Sequence, residues 1–229
     1  MTSESWKAGR RMAQLTQIAA AEKLGVSQPY LSQLEQGLRE AGSDLVQRAA
    51  RLYRLPLTVL PLRTALDFRE PRPDDLQREI GSLGYPGFEH IRATTLRNPA
   101  AVILRVVGQP DLDTRLVEAL PWVLATYTDL DWPWLRDQIR IGNLQNRLGY
   151  LICLAEETAC TLPDRRNAVP VLCEWRRELD RARLVREDTL CRESMPEPER
   201  VWVRAHRPEG AAYWRLLTTL TAGQLPYAP

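Results

Sequence analysis

Leu15-Thr16-Gln17-Ile18-Ala19-Ala20-Ala21-Glu22-Lys23-Leu24-Gly25-Val26-Ser27-Gln28-Pro29-Tyr30-Leu31-Ser32-Gln33-Leu34-Glu35-Gln36-Gly37 is the stretch whose reading decides the fold. It reads as two short helices joined by a tight turn. Two helices that meet at a steep angle need a small residue where they cross, and Ala21 supplies it. The turn needs one left-handed backbone position, which Gly25 adopts without strain. Ser27 stands where a side-chain oxygen caps the next helix, with Pro29 in its first turn. Val26, Leu31 and Leu34 fill a small core. With Leu31 and Leu34 facing inward, helical geometry turns Gln28, Pro29, Ser32 and Gln33 outward.

The same helical period continues on both sides. Ile18, Ala21 and Leu24 recur at helical spacing, as do Leu31 and Leu34, and then Leu45, Ala49 and Leu52. Ser43 is placed to cap a fourth helix. Leu55-Pro56-Leu57 interrupts the pattern, and a short helix at about 57–61 closes it. The expectation is a domain over 5–62 with four or five helices.

The quoted stretch resembles the XRE, or phage-repressor-like, family of helix-turn-helix domains. The matches are Thr16-Gln17 opening the second helix, Ala21 within it, Leu24-Gly25-Val26-Ser27 at the turn, and Leu34-Glu35-x-Gly37 closing the third helix. The resemblance covers about a quarter of the chain and holds in register throughout. It implies a sequence-specific DNA-binding transcription regulator, an autoregulating repressor binding an operator in double-stranded DNA as a homodimer. A polar third helix alone would fit any small helical domain; the in-register motif is what points to DNA.

The outward residues suit that reading. A glutamine amide pairs two-pronged with an adenine edge, and serine pairs with several edges. The start of the recognition helix points at the bases in this docking mode. Gln28 and Gln33 are therefore the expected base readers, with Pro29 and Ser32 beside them and Ser27 at the helix cap. Tyr30, at the margin, is placed to stack on the backbone or donate to a phosphate. Gln17 would hold a phosphate from the preceding helix, and Arg39 would reach one from the following loop, as would Arg10 or Arg11. The family comparison implies the same roles for Gln17, Gln28 and Gln33. The recognition helix carries no Lys or Arg, so a monomer is expected to bind weakly and a second half-site to raise affinity.

Beyond residue 62 the sequence is less specific. Pro71, Pro73, Gly81, Gly84, Pro86 and Gly87 mark 63–97 as a linker and loop segment, with a short helix at about 74–82. Asn98-Pro99 is a helix start. From there to about 225 the apolar spacing predicts an all-α domain of six or so helices, serving assembly or partner binding. Pro121 is a possible kink, and Asn143 a restart. Asn143–Ala155 joins a polar half to an apolar half, with Gly149 open to close helix approach; core is the first reading and a dimer or partner surface the second. Six of the seven tryptophans lie past residue 110, read as core packing, with a pocket lining as the alternative. The fold class expected is all-α, with an N-terminal repressor-like head and a C-terminal helical tail.

Composition narrows the function classes. Charge is nearly balanced, with 31 basic and 29 acidic residues, which is unlike a histone-type polycation. Up to residue 62 there are eight Lys/Arg against five Asp/Glu, a small surplus where a polyanion would bind. Cys153, Cys160, Cys173 and Cys191 form no Cys-x-x-Cys pair, and His90 and His206 are the only histidines. Neither a zinc site nor a disulfide framework follows, so reduced, mostly buried thiols are expected, with no metal and no cofactor. Asp111, Asp113, Asp129 and Asp131 sit at helix starts and read as caps. Arg165-Arg166 and Arg176-Arg177 read as a solvated face. No catalytic constellation, signal core or membrane span appears, so the expectation is a cytoplasmic protein that is not an enzyme and binds no membrane. Proteins similar to this one are often antitoxins, which makes a cognate toxin bound by the tail the alternative partner; a ligand-responsive regulator would need a pocket in the tail.

Overall fold

The computed structural model describes residues 1–62, 72–91, 93 and 95–226. The chain divides into two compact units, Met1–Arg63 with Thr95–Asn98, and Thr64–Thr94 with Pro99–Pro229. The segment expected as linker is thus shared between them: Thr95–Asn98 returns to the first unit, and the rest of the described stretch joins the second. Residues 63–71 of that segment lie outside the described residues.

In the first unit, α1 (Ser3–Met12), α2 (Gln17–Leu24), α3 (Gln28–Glu35) and α4 (Ser43–Tyr53) are followed by one 3-10 turn at Leu57–Val59. Side-chain caps start three of the helices. Thr2 accepts from Ser5 N–H, Thr16 from Ala19 N–H, and Ser27 from Tyr30 N–H. Gly25 ends α2 in the left-handed region, at φ 65°. One expected cap is displaced: Ser43 is already inside α4, and Gly42 precedes it with no side chain to offer. The core consists of Trp6, Ala20, Ala21, Leu24, Leu31, Leu34, Leu45, Val46, Ala49, Ala50, Tyr53 and Leu60. Ile18, expected on the inward face with Ala21 and Leu24, is 71% exposed; the inward stripe of this two-turn helix is Ala20, Ala21 and Leu24. Residues 95–98 are tied down by polar bonds. The Gln47 amide donates to Leu96 O and accepts from Leu96 N–H, and Asn98 Nδ2 donates to Thr58 O and Leu60 O.

The second unit is helical apart, among the described residues, from one two-residue parallel strand pair. Its helices are α5 (Pro73–Ser82), α6 (Pro99–Val107), α7 (Thr114–Glu118), α8 (Leu120–Thr126), α9 (Trp132–Ile141), α10 (Gln145–Thr161), α11 (Val169–Asp180), α12 (Glu197–His206) and α13 (Glu209–Tyr213). β1 (Asp188–Thr189) pairs with β2 (Leu216–Leu217), Asp188 opposite Leu216. Every residue of α6 is buried, which is why its sequence is apolar all round. Its one charge, Arg105, meets Glu79 of α5 at 3.0 Å. α10 is the axis of this unit and packs against α8, α9, α11 and α13. Asp113 and Asp131 cap α7 and α9, whereas Asp111 accepts from Ser194.

Two expectations for this unit change in the structure, and for the polar start of α10 the first reading, core, is the one observed. The polar start of α10 is no surface: Gln145, Asn146 and Arg147 are buried. Asn146 brackets Leu184 through its N–H and C=O, and Arg147 binds Asp188, Glu193 and the carbonyls of Val107 and Gln109. Gly149 admits an indole rather than a helix, since a Cβ there would lie 2.3 Å from the Trp214 ring. The arginine pairs are not simply solvated: Arg165 packs over the Trp122 ring at 4.9 Å and Arg176 pairs with Glu156 at 2.6 Å. Trp132 and Trp175 stack at 4.9 Å as core, while Trp202 is 54% exposed. All four cysteines are free, Cys191 buried but Cys160 exposed.

Candidate nucleic-acid interface

α3 is built to present one polar face. Leu31 and Leu34 are fully buried and anchor it to the core. Pro29 lies exposed in its first turn, and Gln28, Ser32 and Gln33 are half-buried beside it. Ser27 is exposed and spends its hydroxyl oxygen on the Tyr30 N–H. Tyr30 packs against the rim of the core, and the Arg39 guanidinium sits 5.8 Å from its ring centroid. Arg39 itself is exposed in the loop after Gly37. Gln17 begins α2 close to α3. Of the expected set, the structure brings Gln28 onto Gln17 and Arg39 beside Tyr30.

The polar groups there are connected in a defined order. Glu35, whose side chain is 3% exposed, receives Arg10 two-pronged, Nε to Oε1 at 2.5 Å and Nη2 to Oε2 at 2.9 Å. Arg10 Nη1 also donates to Leu15 O. Gln17 Nε2 donates to Glu35 Oε2 at 2.9 Å, and Gln28 Nε2 donates to Gln17 Oε1 at 2.8 Å. Burial pushes the Glu35 carboxyl up, but the hydrogen bonds from Arg10 and Gln17 and the charge of Arg10 outweigh it and hold the group below its ordinary value. Burial and the Glu35 charge push the neighbouring Tyr53 hydroxyl up to about 12. On the same face, Gln36 Nε2 donates to Ser32 Oγ at 3.0 Å. The Gln33 side chain makes no hydrogen bond within the described residues.

Two sequence expectations are refined by this geometry. Arg10, offered with Arg11 as a phosphate contact, is turned inward and committed to Glu35 and Leu15; Arg11 stays exposed on the last turn of α1. Gln17 is engaged with Glu35 and Gln28 rather than standing alone at the helix start. Glu35 was missed as a site residue. Its signal was present, since it lies four residues after Leu31 on the inward stripe, where a charge demands a partner. Which of Lys7, Arg10 or Arg11 supplies that partner is decided by the packing of α1 on α3.

The family model described as Helix-turn-helix matches residues 7–60. The N-terminal quarter is a helix-turn-helix domain of the XRE type. An uncharacterized HTH-type transcriptional regulator of Mycobacterium tuberculosis (strain CDC 1551 / Oshkosh) is 39% identical to this chain over 57 residues. The corresponding protein of strain ATCC 25618 / H37Rv gives the same identity over the same length. The match covers 25% of this chain and 41% of each relative, so this chain spans less than half the length of the relatives it matches. No solved structure matches significantly.

Outside that domain, a cavity of about 410 Å³ opens in the second unit. Leu112, Val117, Met195, Val203 and Leu217 line it, with Trp202 among its walls. Among the described residues no group of three His, Cys, Asp or Glu is placed to hold a metal ion, and no helix is long and apolar enough to cross a membrane.

Proposed function

We propose that this chain is a sequence-specific DNA-binding transcription regulator, an autoregulating repressor that engages its operator as a dimer. The observation that carries the reading is the face of α3, where Gln28, Pro29, Ser32 and Gln33 stand together on a helix anchored by Leu31 and Leu34. In this reading α3 enters the major groove. Gln28 and Gln33 read base edges, Ser32 adds a hydroxyl, and Pro29 offers an apolar surface to a thymine methyl. Arg39 and Tyr30 contact the backbone beside the groove, with Ser27 and the start of α2 at Gln17 on its other flank. Two-fold pairing of heads would place two recognition helices about 34 Å apart, one turn of the duplex. With so few charges on the reading helix, that second half-site supplies much of the affinity.

The test is fluorescence anisotropy of the full-length protein with duplex DNA from upstream of its own gene, competed by unrelated duplex. Specific binding is expected, and Gln28→Ala with Gln33→Ala should abolish the specific component while leaving salt-sensitive background binding. Unchanged specific affinity in that double variant refutes the reading face.

A further inference from the structure

The polar chain Arg10, Glu35, Gln17, Gln28 has a direction, and that direction bears on which base is read. A primary amide has one accepting oxygen and an NH2 that donates, so it can be inserted into a chain either way round. An ionised carboxylate only accepts. Glu35 is buried and kept ionised by its two-pronged bond to Arg10, so it admits only the NH2 of Gln17. Gln17 must then turn its oxygen outward, and Gln28 must answer with its own NH2. What Gln28 has left for a ligand is its Oε1 and one N–H, a single acceptor beside a single donor.

We propose that Glu35 is a specificity-determining positioning residue, which through Gln17 makes Gln28 read adenine and refuse guanine. This inference rests on the DNA-reading assignment above. The adenine edge in the major groove offers one donor at N6 and one acceptor at N7, the complement of what Gln28 has free. The guanine edge offers two acceptors, N7 and O6. One of them would face Gln28 Oε1, oxygen against a lone pair. Reversing the chain reverses the outcome. Were residue 35 an amide, its NH2 could donate to Gln17 Oε1. Gln17 would then donate to Gln28 Oε1, and Gln28 would present two N–H groups, the match for guanine. Both directions are open to the amide, so discrimination between the two purines falls, and a phosphate on the second N–H of Gln17 is all that still favours the adenine direction. Gln33 is outside this chain and serves as the internal control.

The experiment is selection by the full-length protein from a duplex pool randomised over about two helical turns, followed by competition with single duplexes. Gln28→Ala locates the base pair that Gln28 reads, as the position where preference is erased. The wild type is expected to favour adenine over guanine there by about tenfold or more, the discrimination typical of one good two-pronged pair. Glu35→Gln should bring the two purines within about threefold of each other, with the pair read by Gln33 unchanged. Gln17→Met cuts the chain without touching Arg10 or Glu35, and should relax the same position; it decides the matter if Glu35→Gln fails to fold. Retention of the full adenine preference in Gln17→Met and in folded Glu35→Gln overturns the proposal, as does a guanine at the Gln28 position in the wild type. Failure of the wild type to enrich any duplex would instead strike the DNA-reading assignment itself.

Discussion

Replacing Gly149 with alanine puts the packing of α10 under test with a single methyl group. In an exposed helix interior this change stabilises by up to about 1 kcal/mol, because alanine has the higher helix propensity. Here the new Cβ would lie 2.3, 2.4 and 2.6 Å from three ring carbons of Trp214. Ordinary carbon contacts begin near 3.5 Å, so the indole must retreat by about 1 Å. It has little room to do so. Trp214 is 1% exposed, and its Nε1 donates to Cys153 Sγ one turn further along the same helix. Overpacking of this kind costs about 1–3 kcal/mol, and a clash this deep with a ring held by a bond belongs at the upper end. Subtracting the propensity gain leaves a net loss of about 1–2 kcal/mol. Urea unfolding followed by tryptophan fluorescence reports mainly on the second unit, which holds six of the seven tryptophans. A midpoint shifted down at constant slope is expected. Trimming the obstacle with Trp214→Phe should make the added methyl far less costly in the double variant than in the wild-type background. A Gly149→Ala protein as stable as the wild type, or more so, would refute the close approach of indole to helix.

Two other outcomes follow from buried charge. Arg147→Met strips donors from Val107 O and Gln109 O and leaves Asp188 without its guanidinium, so the second unit should lose about 3 kcal/mol, seen as a lowered urea midpoint; a loss below about 1 kcal/mol would mean that these groups find other partners. The Glu35 carboxyl is held below its ordinary value, so its contribution to stability is full above the ordinary carboxylate range and disappears as pH falls through the folded value. The thermal midpoint of the wild type should therefore exceed that of Glu35→Gln by a constant margin from pH 7 to about 5, and the margin should shrink below about pH 4. A margin that persists in acid would contradict an ionised, paired Glu35.

How much of this was legible in the sequence differs between the two units. In the first, short-range rules carry most of the structure. Thr16 and Ser27 cap because a side-chain oxygen before a helix meets free N–H groups wherever it occurs, and Gly25 turns left-handed because it has no Cβ. Ser43 failed as a cap because Gly42 and Ser43 satisfy the same local pattern, and packing of α4 sets which one is inside the helix. Ile18 fails for a related reason: a two-turn helix has several apolar stripes of similar quality, and the neighbour it packs on selects Ala20, Ala21 and Leu24. In the second unit, Asn98-Pro99 announced the start of α6. The polar start of α10 can lie in the core only because Leu184, Asp188 and Glu193, 38 to 46 residues further on, are brought around it.

The outward face of α3 belongs to the part that sequence alone determined. Gln28, Pro29, Ser32 and Gln33 face outward because Leu31 and Leu34 must face inward, a consequence of 3.6 residues per turn. Which atoms of Gln28 are left free was decided only by tertiary structure. Arg10 and Glu35 are 25 residues apart in the chain, and nothing local ties one to the other. Packing α1 against α3 brings a guanidinium to a buried carboxylate, and that carboxylate, accepting only, orients two glutamines in turn. Local sequence sets which side chains are presented; long-range burial of charge sets which of their atoms are free.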